Sequence, residues 1–161
     1  VVENYVMRVL VLLLLFASVS FGQSIADRVQ TFEDAKRYTV KYDKFEDVTR
    51  VLVHLQATSY LSLTFRADNK TPEVFWYVSQ KRGFFNKPAL NMLIDGQLLT
   101  IQSGEIGTAA LFPLSIKQLE TLANAKTVEY QVLPFEGEVK DLQIFKNLLS
   151  LTKSQPPAPP K

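Results

Sequence analysis

The chain has no cysteine, one histidine (His54), one tryptophan and two methionines in 161 residues. The lack of cysteine excludes disulfides, thiolate zinc sites, iron–sulfur clusters and a cysteine nucleophile, and a lone histidine excludes multi-histidine metal sites. Neither sign of charge dominates. Eighteen Lys and Arg against 16 Asp and Glu leave a formal net charge of +2, short of the basic bias with which proteins take nucleic acid as their main partner. No G-x-S-x-G nucleophile elbow and no D-x-[DN]-x-[DN]-G calcium loop occurs. These absences lead to the expectation of no cofactor, no metal, no catalytic residue and no nucleic-acid partner. What is present is globular composition, 47% apolar and 21% charged, at one domain's length.

The N-terminal region reads as a targeting segment. From Met7 a single positive charge, Arg8, precedes an apolar run over residues 9–17 and then small and polar residues, the layout of a secretory signal peptide. Ser20 and Gly22 suit a cut before Gln23, and residues 1–6 precede a more natural start at Met7. The apolar stretch is well short of the ~20 residues that span a bilayer, so no transmembrane segment is expected after cleavage. The organisation expected is an N-terminal extension with signal peptide over 1–22, an arm or short helix over 23–37, a single β-rich domain over 38–153 and a Pro-rich tail over 154–161.

Ile25, Val29 and Phe32, with Ser24 and Asp27 placed to cap, predict a short helix. Beyond it the apolar period becomes two. Thr49, Val51, Val53 and Leu55 form one half-buried strand, and Leu61, Leu63 and Phe65 another, joined as an antiparallel hairpin. Residues 73–79, EVFWYVS, are apolar on both faces and predict a central strand covered on both sides. Residues 89–95 and 98–102 flank Asp95-Gly96-Gln97, the clearest hairpin, because Asp-Gly favours positive φ. A strand over 108–114 leads to Ser115, which with Gln118 forms a capping-box pattern ahead of Ile116, Leu119, Leu122 and Ala123. Val128, Tyr130 and Val132 return to strand period, a turn over 134–137 follows, and Asp141 is placed to cap a last helix carrying Leu142, Phe145, Leu148 and Leu149. The fold expected is mainly β (α+β): an antiparallel sandwich or partly closed barrel of about seven to eight strands, with two helices in the C-terminal half.

The stretches YDKFEDVT at 42–49, MLIDGQ at 92–97 and LANAKTVEYQV at 122–132 resemble a group of small exported bacterial proteins of unknown function. The resemblance implies export and a compact β-rich domain. It brings no catalytic residue, cofactor or substrate with it.

The candidate binding segment is QKRGFFNKP over 80–88. Lys81, Arg82 and Lys87 surround Phe84 and Phe85 in a connection between strands, and cations beside aromatic rings suit an anionic lipid headgroup or glycan. The bland alternative has Phe84 and Phe85 folding back to seal the sheet while the cations stay in water. Trp76, with Phe75 and Tyr77, would line a carbohydrate or lipid groove unless it belongs to the core. His54 sits on the strand face shared with Arg50, away from Val51 and Val53. The pairs Glu33 and Asp34, Glu46 and Asp47, and Glu136 and Glu138 would support glycoside hydrolysis only if two acids faced each other about 5 to 9.5 Å apart. The reading favoured is an exported, non-catalytic binding or interaction module of the bacterial cell envelope, periplasmic or extracellular, whose partner is an anionic envelope component or a protein. The alternatives are a small envelope-polymer hydrolase using carboxylates or His54, and a structural subunit of an envelope assembly.

Overall fold

Alternation of apolar and polar residues dominates the described chain and builds its sheets. The computed structural model describes residues 24–154 except 57, 67, 69, 70, 85, 105 and 106. The expected signal peptide over 1–22 and most of the Pro-rich tail lie outside these residues. Helix α1 (Ile25–Gln30) opens the fold, and a short 3-10 turn (Ala35–Arg37) leads into β1 (Tyr38–Asp43), β2 (Val48–Gln56), β3 (Ser59–Arg66) and β4 (Glu73–Ser79). Strands β5 (Ala89–Ile94), β6 (Gln97–Gln102) and β7 (Ala109–Leu114) precede α2 (Ile116–Asn124). Strands β8 (Val128–Val132) and β9 (Phe135–Glu138) then lead to α3 (Gln143–Thr152).

The nine strands form two antiparallel sheets, one ordered β1-β2-β3-β4-β7 and the other β6-β5-β8-β9. The architecture is therefore α+β and sandwich-like, the first of the two expected alternatives, and not a closed barrel. Among the described residues no helix is long and apolar enough to cross a membrane.

One buried cluster joins the sheets and helices. Val51, Leu63, Trp76 and Phe112 from the larger sheet meet Leu90, Met92, Val128 and Tyr130 from the smaller one, together with Leu119, Leu122, Phe145 and Leu148 from the helices. Trp76 lies 5.1 Å from the Tyr130 ring and 6.2 Å from the Phe145 ring, touching the opposite sheet and α3 at once. Ile25 and Val29 belong to the same cluster, so α1 is part of the fold and not a loose arm. Helix α1 begins with a capping box between Ser24 and Asp27, and α2 with one between Ser115 and Gln118, as the spacing predicts. At α3 the N-cap position is Leu142, without a side-chain cap, so Asp141 is not the cap expected there; it stands one residue earlier and accepts from the Gln143 N–H at 3.1 Å.

Three further expectations are corrected. Strand β1 is additional: its burial is irregular, with Thr39 and Lys41 exposed, because it is an edge strand. The turn expected over 134–137 closes earlier, at Leu133 and Pro134, so that Phe135–Glu138 pairs with β8 as β9. Strand β4 is not covered on both faces. Val74, Trp76 and Val78 are buried, whereas Phe75 and Tyr77 are half-buried on the outer face, where Tyr77 stacks on Tyr60 of β3 at 4.7 Å.

Candidate functional site

Strand β4 delivers its C-terminal end into a tight turn that orients the basic segment. The Ser79 N–H donates to the Thr58 carbonyl at 2.8 Å, holding the end of β4 against the β2–β3 connection. The Gln80 N–H then donates to the Thr108 carbonyl and the Phe84 N–H to the Gly107 carbonyl, both at 2.9 Å, so the turn is clamped on the segment entering β7. Within it the Gly83 N–H donates to the Gln80 carbonyl at 2.9 Å, and Gln80 Nε2 returns a hydrogen bond to the Gly83 carbonyl. Gly83 adopts φ +71°, which an L side chain takes only at a cost. Lys81 and Arg82 stand exposed at the turn's tip.

These two cations line an open cleft of about 560 Å³ together with Thr58, Ser79, Gln80 and Phe135. The cleft brings together two positive charges, two hydroxyls, an amide and an aromatic ring. That set suits an anionic group: cations neutralise its charge, hydroxyl and amide donors orient its oxygens, and the ring covers an adjoining apolar surface.

The ion-pair pattern elsewhere sharpens the contrast. Arg37 pairs with Asp34 and Asp141, Arg50 with Asp43 and Glu46, and Arg66 with Glu73. Arg28 donates to the Ser150 carbonyl at 3.0 Å. Among the described residues Arg82 enters no ion pair, and neither does Lys81 or any other lysine, so the contrast is carried by Arg82.

The other sequence candidates separate. Phe84 is half-buried and packs against the core, so it seals the end of the sheet and does not project. Phe85 lies outside the described residues. Lys87 is exposed and is not among the residues lining the cleft. Trp76 is fully buried and donates through Nε1 to Ser59 Oγ at 2.6 Å, which removes it from any surface-binding set. Phe135, Thr58 and Ser79 went unrecognised in sequence, because the cleft arises only when β9 of one sheet comes beside the β2–β3 and β4–β5 connections of the other.

His54 is exposed on the outer face, 5.9 Å from the Tyr60 ring, and its carbonyl accepts from Arg37 at 3.2 Å. Among the described residues no side chain hydrogen-bonds to its ring. Glu46 is engaged by Arg50, Asp47 accepts from the Tyr42 hydroxyl at 2.9 Å, and Asp34 accepts from Asn147 Nδ2 at 3.3 Å. Glu136 and Glu138 lie side by side on one face of β9, both exposed, facing away from the core. Among the described residues no group of three or more His, Asp or Glu is arranged to hold a metal ion.

No family model matches the chain, and no match is found among curated proteins or solved structures.

Proposed function

We propose that this chain is an exported, non-catalytic binding module of the bacterial cell envelope, and that it takes an anionic group in the Lys81/Arg82 cleft. The observation that carries the reading is that the two cations line a cleft with Thr58, Ser79, Gln80 and Phe135 while entering no ion pair among the described residues. A guanidinium whose donors are not already taken by a carboxylate can give two parallel hydrogen bonds to an anionic ligand. An arginine left in a cleft with hydroxyl donors is therefore available to a ligand in a way that Arg37, Arg50 and Arg66 are not. The ligand's shared chemistry is a phosphate or carboxylate with an apolar or ring surface next to it, as presented by an anionic lipid headgroup or an acidic glycan. Export is supported by the signal-peptide layout of the N-terminal sequence.

The test is thermal unfolding with inorganic phosphate, with phosphatidylglycerol vesicles and with a uronic-acid oligosaccharide, each beside a neutral counterpart. A ligand at ~100 times its Kd adds about 2.7 kcal/mol, a shift of several degrees for a domain of this size. A shift with vesicles alone names the lipid source, and a shift with the oligosaccharide alone names the glycan. Lys81→Ala with Arg82→Ala is expected to abolish the shift without lowering the unliganded Tm, because both side chains are exposed. Silence with every probe, or a shift that survives the double substitution, refutes the reading.

A further inference from the structure

The two sheets leave four edge strands, β1, β7, β6 and β9, and three of them carry features that discourage pairing with another strand. Strand β1 carries Lys41 and Asp43. In β7 Pro113 lacks an N–H, and the Leu111 carbonyl already accepts from the Gly104 N–H at 2.8 Å. Strand β9 is four residues long, with a glycine and two glutamates. Strand β6 has none of these devices. Its six residues, QLLTIQ, hold no charge, proline or glycine, its register with β5 runs without a bulge, and Leu98 is 68% exposed. Such an edge is a template for a further strand.

Backbone alternation decides which groups β6 offers. In an antiparallel pair, facing residues alternate between exchanging two hydrogen bonds and exchanging none. The Ser103 N–H donates to the Pro88 carbonyl at 3.1 Å just beyond the β5–β6 pairing, and the Asp95 N–H to the Thr127 carbonyl at 3.1 Å just beyond the β5–β8 pairing. Counting back by twos from these bonds, Leu99 and Ile101 bond β5, while Leu93 and Asn91 turn their backbone groups to β8. Leu98, Thr100 and Gln102 therefore aim their N–H and C=O groups away from the sheet, and among the described residues no backbone partner takes them. Beside the first half of β6 an open groove of about 660 Å³ separates Leu98 and Leu99 from helix α2. On the helix wall Ser115 and Gln118 are committed to their capping box, Thr121 to the Lys117 carbonyl at 3.0 Å and Asn124 to the Glu120 carbonyl at 2.8 Å. Two charged residues line the groove among those described: Asp95, whose carboxylate the N–H groups of Lys126 and Thr127 hold, and Lys117.

We infer that β6 takes an added strand from a partner protein: an extended segment in the groove beside α2, apolar on the face it shares with Leu98 and carrying an acidic side chain on the other, toward Lys117. Backbone hydrogen bonds to Leu98 and Thr100 supply the pairing, and side chains at alternate positions supply selectivity. A second copy of this chain fits less well. Pairing β6 with itself, Thr100 opposite Thr100, uses every outward group but sets Leu98 against Gln102; centring it on Leu98 meets the Asp95-Gly96 turn after one bonded pair. The area is also too small. A six-residue edge is about 20 Å long and ~10 Å thick, so edge-to-edge pairing buries roughly 400 Å², against the ~1,200 Å² of a stable dimer. The groove shares no residue with the Lys81/Arg82 cleft, and the inference does not rest on the reading of that cleft.

The experiment is fluorescence anisotropy of the 161-residue chain with a labelled hexapeptide that alternates valine with glutamate and threonine. The control is the same peptide with its valine amides N-methylated, which keeps every side chain and removes the N–H donors of one strand edge. The unmodified peptide is expected to bind at least about tenfold tighter than the control. Thr100→Pro removes an outward N–H that the sheet does not use, and is expected to weaken binding about fivefold with the circular dichroism spectrum unchanged. Leu98→Thr, at a position already exposed, keeps the backbone intact should the proline disturb the fold, and is expected to weaken binding by a similar factor. Lys117→Glu is expected to weaken it about threefold, and lysine in place of the peptide's glutamate to restore it. Amide exchange at Leu98 and Thr100, fast in the free chain, should slow in the complex. Lys81→Ala with Arg82→Ala should leave peptide binding intact, which separates failure here from failure of the anion cleft. No binding, binding that survives N-methylation, or self-association of the chain through β6 overturns the inference.

Discussion

Replacing Ser59 by alanine tests how the two sheets are held together. Ser59 Oγ accepts from Trp76 Nε1 at 2.6 Å, and it also hydrogen-bonds the Tyr130 phenol, opposing the rise in the Tyr130 pKa that burial causes. One hydroxyl therefore links β3, β4 and β8. Ser59 is 1% exposed and Trp76 0%, and deleting a single oxygen opens a space too small to admit water. The indole N–H is then buried without its acceptor, at a cost of ~1–3 kcal/mol. For a domain of this length each kcal/mol corresponds to roughly 3 °C, so the Tm is expected to fall by about 3 to 10 °C. Ser62→Ala is the comparison, because Ser62 is equally buried but contacts Thr64 Oγ1 at only 3.4 Å, and its loss is expected to cost less than ~1 kcal/mol. In a Trp76→Phe background the donor is already gone, and Ser59→Ala should cost about 1 kcal/mol less than in the wild type. Urea unfolding read by the fluorescence of the single tryptophan, with circular dichroism for the phenylalanine background, gives all five free energies. A Ser59→Ala protein within ~0.5 kcal/mol of wild type, or equal costs in the two backgrounds, would refute the linkage.

Gly83→Ala is expected to lower the Tm and to weaken anion binding with Lys81 and Arg82 intact. The new Cβ would sit 2.9 Å from the Gly107 carbonyl oxygen at φ +71°, and left-handed backbone alone costs an alanine about 1–2 kcal/mol; an unchanged melting curve would rule this out. Asp95 accepts from the backbone N–H groups of Thr127 at 2.9 Å and Lys126 at 2.8 Å, which hold its carboxyl below the ordinary value of 3.8. A depressed carboxylate contributes its stability in full above its unfolded value and loses it as pH falls through the folded value. Asp95→Asn should therefore be less stable than wild type near neutrality, with the gap closing below about pH 4, and a gap that stays constant into acid would contradict the assignment.

What was legible in the sequence was whatever depends on neighbours along the chain. Alternation located β2, β3, β5 and β6, and the Asp95-Gly96 turn appears with φ +50° and +81° as its residue types predict. Ser24 with Asp27, and Ser115 with Gln118, form their capping boxes because each needs only a three-residue reach. Strands β1 and β9 were not legible because their own residues alternate poorly: β1 is exposed or half-buried at five of its six positions, and neither has a turn signal such as the Asp95-Gly96 pair that marks the edge strand β6. The FEGE of β9 carries a glycine and two acids, and only pairing with β8 makes it a strand. The outer face of β4 was misread because Phe75 and Tyr77 satisfy part of their apolar surface sideways, on each other at 6.1 Å and on Tyr60, without a covering layer. Lys81 and Arg82 were visible as a local cluster, whereas Thr58, Ser79 and Phe135 complete the cleft through tertiary contact alone.

The near-neutral formal charge of +2 has a different meaning once positions are known. It excludes a field spread over the whole surface, of the kind that gathers polyanions along a basic face. It does not exclude a local field, and Lys81 and Arg82 set one up at the cleft that Phe135 of β9 helps to line. Alternation along that strand sends Phe135 and Gly137 to one face and Glu136 and Glu138 to the other, so Phe135 lines the cleft while the acids beside it in sequence do not. Charges at the surface are screened over about 8 to 10 Å at physiological ionic strength, so the cleft's own charges, and not a sum over the chain, govern what it attracts. Local uncompensated charge, counted after ion pairs are removed, is what distinguishes Arg82 from Arg37 and Arg50.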